Sequence, residues 1–404
     1  MALASTDSLR REICRLFPER PFAIELWDGS GLPATNGGGP TLAVRSPRGI
    51  AHMLRAPGQL GLGRAYVAGE LEVSDLDALV DVADWWQPPP LSARSRARLI
   101  LAAARAGGAV RRVPTPGAEL RPRGGLHSRR RDARAVRHHY DVSNEFFALF
   151  LDRSMTYSCA FFSRAPASLE AAQEAKLDLT CRKLALEPGE RVLDVGCGWG
   201  GFAIHAASRY AVKVVGITLS EPQASLARER VRQAGLEGEI EIRVQDYREL
   251  AGERFDAIAS IGMVEHVGQR RIDLYARQLA EMLRPGGRLL NHGIARLYEA
   301  ALGVFTMRYV FPDSEPLPLS RVLLALERAG FVTEHVEGFG PDYVETLRHW
   351  ARRLDERRAD AVRIAGAERV RVWRLYLRGA RKNFESGFLS VYQVRCRLGV
   401  APTG

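Results

Sequence analysis

From about Arg134 to Cys396 the chain alternates short β-rich apolar runs with amphipathic helical stretches, and no other feature limits its fold as strongly. Strands apolar on both faces suit a mostly parallel sheet with helices on either side. Arg191 to Val195 reads as the first strand, Lys213 to Leu219 as the second and Glu239 to Val244 as the third. Phe255 to Ile261, Arg288 to Ile294, Phe331 to Val336 and Phe388 to Cys396 complete a seven-stranded, doubly wound α/β domain over residues 134–404. A chain of 404 residues exceeds what one core usually organises, so a second domain is expected before it. There, Phe22 to Trp27 is an apolar run closed by Asp28-Gly29, and Thr41 to Val44 reads as a returning strand. Helices are expected over Gly58 to Val67, Leu76 to Ala83 and Leu91 to Ala104, with Pro88-Pro89-Pro90 as a stop. Residues 1–105 therefore read as a small α+β domain, and 106–133, rich in Gly, Pro and Arg, as an interdomain linker.

The charge is concentrated in one place. Thirteen arginines against Glu119 and Asp132 between Arg94 and Arg137 account for the whole net charge of +11. Such a band suits a polyanion, either nucleic acid or an anionic lipid surface, or else a merely solvated linker. With 46% hydrophobic and 26% charged residues, the composition excludes a disordered or collagen-like chain. The five cysteines are scattered without a C-x-x-C pair, so they read as reduced thiols rather than a disulfide framework or zinc cage. His138, His139 and His266 have no spacing that demands a metal. No run approaches the roughly 18 apolar residues of a spanning helix, and Asp7, Arg10, Arg11 and Glu12 stand where a signal peptide needs an apolar run. A cytoplasmic location is the expectation.

The first strand leads into Asp194-Val195-Gly196-Cys197-Gly198-Trp199-Gly200-Gly201 and then an amphipathic helix, a turn whose glycines let backbone approach a ligand closely. Glycines alone also fit a nicotinamide site. The acidic Asp194 ahead of them resembles instead the first motif of class I S-adenosylmethionine-dependent methyltransferases, in which it orders the loop and helps hold the methionine ammonium. Glu221 falls slightly late to grip a ribose after the second strand, leaving Thr218 and Gln223 as neutral hydrogen-bonding candidates. Ser220 and Gln223 also match an S-x-x-Q capping box. After the third strand, Asp246 is a candidate acceptor for the adenine amino group, with Tyr247 beside it.

Several separated segments together resemble the cyclopropane-fatty-acyl-phospholipid synthases and their relatives, the mycolic acid cyclopropane synthases. They are His139-Tyr140-Asp141-Val142-Ser143-Asn144, Leu151 to Phe162, Val192 to Gly201, Gly216 to Ser220 and Gly262-Met263-Val264-Glu265-His266-Val267-Gly268. Tyr309-Val310-Phe311-Pro312, Asp342 to Trp350 and Tyr376 to Gln393 follow in family order, and Gly61 to Leu79 is similar to the family's N-terminal lipid-binding module. The resemblance implies S-adenosylmethionine as cofactor, contacted by Tyr157, Ser158, Gly196, Gly198, Thr218 and Gln223. It also implies a bound bicarbonate as proton base, held by Cys159, Glu265, His292, the backbone of Ile294, and Tyr343. Water must be kept from the carbocation formed when a methyl reaches an unactivated alkene, and aromatic faces stabilise it. Phe161, Phe162, Phe305, Tyr309 and Tyr343 are candidates for the acyl tunnel, Tyr309 and Tyr343 foremost.

The implied partners are an unsaturated phospholipid in an anionic membrane surface, met peripherally, and a second copy in a homodimer; nucleic acid is not among them, because no N/D-P-P-Y-type loop follows the fourth strand. The expected activity is methylene transfer to a cis double bond, with formation of a 10-methylene branch as the alternative outcome on the same oleoyl substrate. A lipid-binding protein without activity is disfavoured by the full set of candidate residues. Asn291, where an apolar residue commonly precedes the histidine, and the strongly basic band depart from the family pattern and bear on the acyl substrate.

Overall fold

The computed structural model describes residues 5–106, 113–120, 143–162, 168–250, 252–300, 302–312 and 314–399. The segment His139 to Val142 and most of the arginine band lie outside them. Two compact units emerge. The first comprises residues 5–106 and 113–120 together with Gly303–Val310 and Ala365–Lys382, so it draws on stretches that read from sequence as linker and catalytic domain.

In this first unit, strands β1 (Ala23–Glu25), β2 (Gly31–Leu32), β3 (Thr41–Val44) and β4 (Leu71–Val73) form a sheet in the order β2-β1-β3-β4. The strand that returns after Asp28-Gly29 is the short β2; β3 instead runs parallel to β1 on its other side. Asp28 fixes that turn by accepting from Ser30 and Thr6. Leu9, Ile13, Leu26, Tyr66, Leu71, Leu79 and Leu99 form the core. Charge explains why a distant helical stretch joins them: Arg371 pairs with Glu72, Arg378 and Arg381 with Asp77, and Lys382 with Asp81 and Asp84. The helix Val304–Tyr309 joins by close approach, since a Cβ on Gly63 would lie 2.4 Å from the Phe305 ring.

The second unit is built on β5 (Arg191–Val195), β6 (Lys213–Thr218), β7 (Ile240–Val244), β8 (Phe255–Ile261), β9 (Leu283–Arg296), β10 (Leu317–Pro318), β11 (Phe331–Gly338) and β12 (Leu389–Leu398). Their order is β11-β12-β9-β8-β5-β6-β7, with β10 paired to β9 off this path. The strands from β5 to β9 are parallel, while β12 is antiparallel to both neighbours. All seven expected strands are present. The fifth begins earlier than Arg288, because Pro285-Gly286-Gly287 forms a bulge in the ladder rather than a turn that ends it.

Strand parity sorts the two faces. Leu193, Val195, Ile258 and Leu289 pack beneath the helices Ile272–Glu281 and Leu319–Arg328, whereas Val192, Ala257, Ala259 and Leu290 meet Leu169–Lys183, Gly201–Tyr210 and Glu221–Gln233. Asp194 and His292 share the parity of the second set. Asn291 therefore faces the other way, and its Oδ1 accepts from the Tyr275 hydroxyl at 3.0 Å, which also bonds Ser260 Oγ at 2.6 Å. The polar residue that departs from the family pattern is thus a satisfied member of a buried triad, remote in orientation from His292. Tyr275→Phe leaves Asn291 and Ser260 without this bridge and is expected to lower unfolding stability by about 1–3 kcal/mol in denaturant titration, with S-adenosylhomocysteine affinity unchanged.

Candidate active site

At the C-terminal end of β5 the chain turns through Gly196 (φ 79°), Gly198 (φ 54°) and Gly200 (φ 78°), left-handed conformations that disfavour other residues. A Cβ on Gly196 would lie 2.8 Å from the Met263 side chain, which would have to move aside. The amides of Gly196 and Cys197 donate to the Ile217 carbonyl, which ties the loop to β6. A cavity opens over this loop, at the strand ends where ligands of open α/β sheets collect. All nine residues expected at the cofactor line it: Tyr157, Ser158, Asp194, Gly196, Gly198, Thr218, Gln223, Asp246 and Tyr247.

Each wall has its own cause. Asp152 accepts from the backbone of Ser154 and Thr156, a local turn that sets Tyr157 and Ser158 in place. Tyr157 stacks on Trp350 with ring centroids 5.0 Å apart. Ser220 caps its helix by accepting from the Gln223 amide, but the Gln223 side chain does not return to Ser220. It takes the Thr218 hydroxyl on Oε1 at 2.9 Å, so only half of the expected capping box forms and the other half serves the cavity wall. Asp246 is held by Arg248 at 2.6 Å, and the Tyr247 ring packs edge-on against Tyr275. Asp194 is 2% exposed and its Oδ2 has no hydrogen-bond partner. Burial pushes its carboxyl up to about 7, against the pull of Lys176. An orphaned buried carboxylate oxygen beside a glycine cradle fits the ammonium of an S-adenosylmethionine.

Two residues escape a sequence reading: Lys176, which lines the cavity, and Gln173, which holds the backbone of lining residues. Gln173 and Lys176 sit on the helix Leu169–Lys183, both fully buried. Gln173 Nε2 donates to the carbonyls of Thr156 (3.3 Å) and Ser158 (2.9 Å), and Lys176 Nζ to Ser158 Oγ at 2.9 Å. Polar residues at these positions look like a solvated helix face until the fold places them inside.

The residues expected around a bicarbonate are not part of the cavity lining but adjoin it in sequence: Cys159 follows Ser158, and Glu265 lies between Met263 and His266, which do line it. The Ile294 amide donates to Glu265 Oε1 at 3.3 Å, while Glu265 Oε2 is buried without a partner. Burial pushes the Glu265 carboxyl up to about 7. His292 stands two residues before Ile294, on the same side of β9, and stacks on Phe339. Burial holds its imidazole well below the usual range, with Lys176 and Lys183 adding to the effect, so it is neutral. Directly across the ladder, Gln393 Nε2 donates to His292 Nδ1 at 3.2 Å, which leaves the ring proton on Nε2. Gln393 is a further member that sequence reading missed.

Phe339 gathers the rest. Its carbonyl lies 3.6 Å from the Cys159 sulfur and accepts the Tyr343 amide. Burial keeps the Cys159 thiol protonated, so it is no nucleophile. The Tyr343 ring packs against Phe384 and Trp350. Phe161 meets Phe339 edge-on, and Phe162 stacks on His349. Tyr309 and Phe305 belong to the first unit, where they stack on each other and the Tyr309 hydroxyl donates to Glu119, itself held bidentately by Arg64 at 2.7 Å. Among the described residues no group of three or more His, Cys, Asp or Glu is placed to hold a metal ion.

The chain is similar to several known proteins. A probable fatty acid methyltransferase of Mycobacterium tuberculosis is 41% identical, over 95% of this chain and 93% of its own. The tuberculostearic acid methyltransferase UfaA1 of the same organism is 33% identical (97% and 91%), and the cyclopropane-fatty-acyl-phospholipid synthase of Escherichia coli 34% identical (94% and 93%). The solved structure of the mycolic acid cyclopropane synthase CmaA1 from a complex with S-adenosylhomocysteine and CTAB superposes with a TM-score of 0.63 at 33% identity, covering 66% of this chain and 98% of that one. The family profile described as mycolic acid cyclopropane synthetase matches residues 127–394. With its class I methyltransferase sheet and two thirds of its length within that profile, the chain belongs to the mycolic acid cyclopropane synthetase family of S-adenosylmethionine-dependent methyltransferases.

Proposed function

We propose that this protein is a cyclopropane-fatty-acyl-phospholipid synthase, which adds a methylene carbon to the cis double bond of an unsaturated phospholipid acyl chain. The observation that carries the reading is the unpartnered, buried Glu265 Oε2, on a residue between Met263 and His266, which line the cofactor cavity. S-adenosylmethionine bound in that cavity supplies an electrophilic methyl. Asp194, the glycine turn, Ser158 and Gln223 would hold it, with Tyr157 in the same lining.

Alkylating an alkene leaves a cation on the chain that must lose a proton, so a base is needed in a dry place. Glu265, His292, Cys159, Tyr343 and the Ile294 amide would hold a bicarbonate, and bicarbonate would supply that base. The donor set fits: Glu265 offers a free acceptor for a hydroxyl, and His292 Nε2–H is a neutral donor for an anionic oxygen. Gln393 keeps the imidazole in that tautomer. The Ile294 amide is turned to Glu265 and joins the site through that carboxylate.

Docking on an anionic membrane belongs to the same proposal. It is supported by the helix Ala93–Arg105, where Ile100 and Leu101 are exposed among Arg94, Arg96 and Arg105. Among the described residues no helix is long and apolar enough to cross a membrane. If the basic face docks, raising the salt concentration weakens sedimentation of the protein with vesicles containing phosphatidylglycerol; binding indifferent to salt removes this role.

Incubation with S-adenosylmethionine and oleoyl phospholipid vesicles is expected to add one methylene unit. Proton NMR of the fatty acids then reads upfield ring signals for a cyclopropane, whereas vinylidene signals would assign the protein to 10-methylene branching instead. Glu265→Gln is expected to lower turnover by about a hundredfold or more while S-adenosylhomocysteine affinity in calorimetry stays near that of the wild type; equal loss of both counts against its role. At saturating cofactor, the wild-type rate should fall as pH drops through about 7, because the protonated Glu265 no longer accepts a hydrogen bond through a charged oxygen.

A further inference from the structure

Lys176 is the least expected group in the cofactor cavity. It is 1% exposed, it lines the cavity together with Asp194, and among the described residues the one hydrogen bond of its ammonium is to Ser158 Oγ. An ammonium removed from water needs more than one neutral acceptor, and this one has two N–H groups to spare. No carboxylate forms a salt bridge with it among the described residues; Asp152 and Asp194 act on it only at longer range, and Cys159 and His292 lie within reach of its field. A purely structural task is already performed by its neighbour, because Gln173 fastens the Thr156 and Ser158 carbonyls by itself. Asp194 shows the opposite deficit, a buried carboxylate oxygen without a donor.

A buried cation and a buried anion on one cavity wall, each with unused hydrogen-bonding capacity and not paired with each other, are complementary to a zwitterion. We propose that Lys176 is a recognition residue for the α-carboxylate of the cofactor's amino-acid end, with Asp194 facing its α-ammonium. The inference rests on the assignment of the cavity to S-adenosylmethionine made above. Because Ser158 Oγ accepts from Lys176 Nζ, its own hydroxyl proton would be free to donate to the same carboxylate. Burial draws Lys176 down to about 8, so the cation is present at neutral pH and gains from an anion placed against it.

Calorimetry on the full chain at neutral pH separates this role from a structural one. The probes are S-adenosylhomocysteine, its decarboxylated analogue that keeps the amine, and 5′-methylthioadenosine, which lacks both groups. Wild type should bind S-adenosylhomocysteine at least about tenfold more tightly than the decarboxylated analogue, the scale of a charge-assisted hydrogen bond. Equal affinities would overturn the proposal without any variant. Lys176→Met should erase that preference and leave the affinity for the decarboxylated analogue and for 5′-methylthioadenosine nearly unchanged. Uniform weakening of all three ligands would make Lys176 a packing residue, and an unaltered preference would leave it no role in recognition; either overturns the assignment. Lys176→Arg, which keeps the charge if the methionine variant does not fold, should retain part of the preference, and a complete loss in a folded protein would count against it. If wild type binds none of the three, the cavity assignment itself fails, and the clamp with it.

Discussion

Three ionisable groups, Asp194, Lys176 and Glu265, are held out of water without a salt bridge among the described residues, and the second unit is organised around that cost. Burying an unpaired charge is among the most unfavourable arrangements a core can contain. The rest of the unit compensates with dense apolar layers on both faces of the sheet and with a polar triad, Ser260, Tyr275 and Asn291, in which every exchange is satisfied. Asp194 lies at the C-terminal end of β5 and Glu265 shortly after β8, where a ligand can complete them.

The two sites are neighbours because of chain order as much as packing. Ser158 lines the cofactor cavity and Cys159 would belong to the proposed base cluster, while Met263 and His266 line the cavity on either side of Glu265. A short stretch after β8 and another before the helix Leu169–Lys183 therefore each contribute to both. Phe339, at the start of the helix Gly340–Glu356, then fixes the cluster through its carbonyl and its ring. A shift of that helix would be felt at Cys159, His292 and Tyr343 together.

The strands were legible because runs of five to nine residues rich in apolar side chains, most of them closed by a polar or glycine turn, have few other uses. The glycine turn was legible because three left-handed residues in a row of five leave little besides glycine. What stayed hidden was hidden for physical reasons. The buried face of Leu169–Lys183 includes Gln173, Lys176 and Thr180 beside Leu177 and Cys181, so its polarity pattern does not distinguish inside from outside. Gln393 is defined by what lies across the ladder, and an antiparallel partner one hundred and one residues away leaves no local trace. The membership of the first unit was missed likewise, because the pairing of Arg371, Arg378, Arg381 and Lys382 with acidic residues near the N-terminus depends on tertiary proximity, not on any run in the sequence.

The neutrality of His292 carries the argument about the base one step further. A protonated imidazole would bind an anion more strongly, but it would also lower the basicity of whatever it binds, which defeats a group meant to take a proton. Burial, the two lysines Lys176 and Lys183, and the amide of Gln393 all act against protonation or fix the tautomer. Glu265 works in the same direction, since a carboxylate accepting a proton-bearing oxygen raises electron density on the anion instead of withdrawing it. With neutral donors in His292 and Cys159 and a carboxylate in Glu265, the cluster would keep an anion it holds basic.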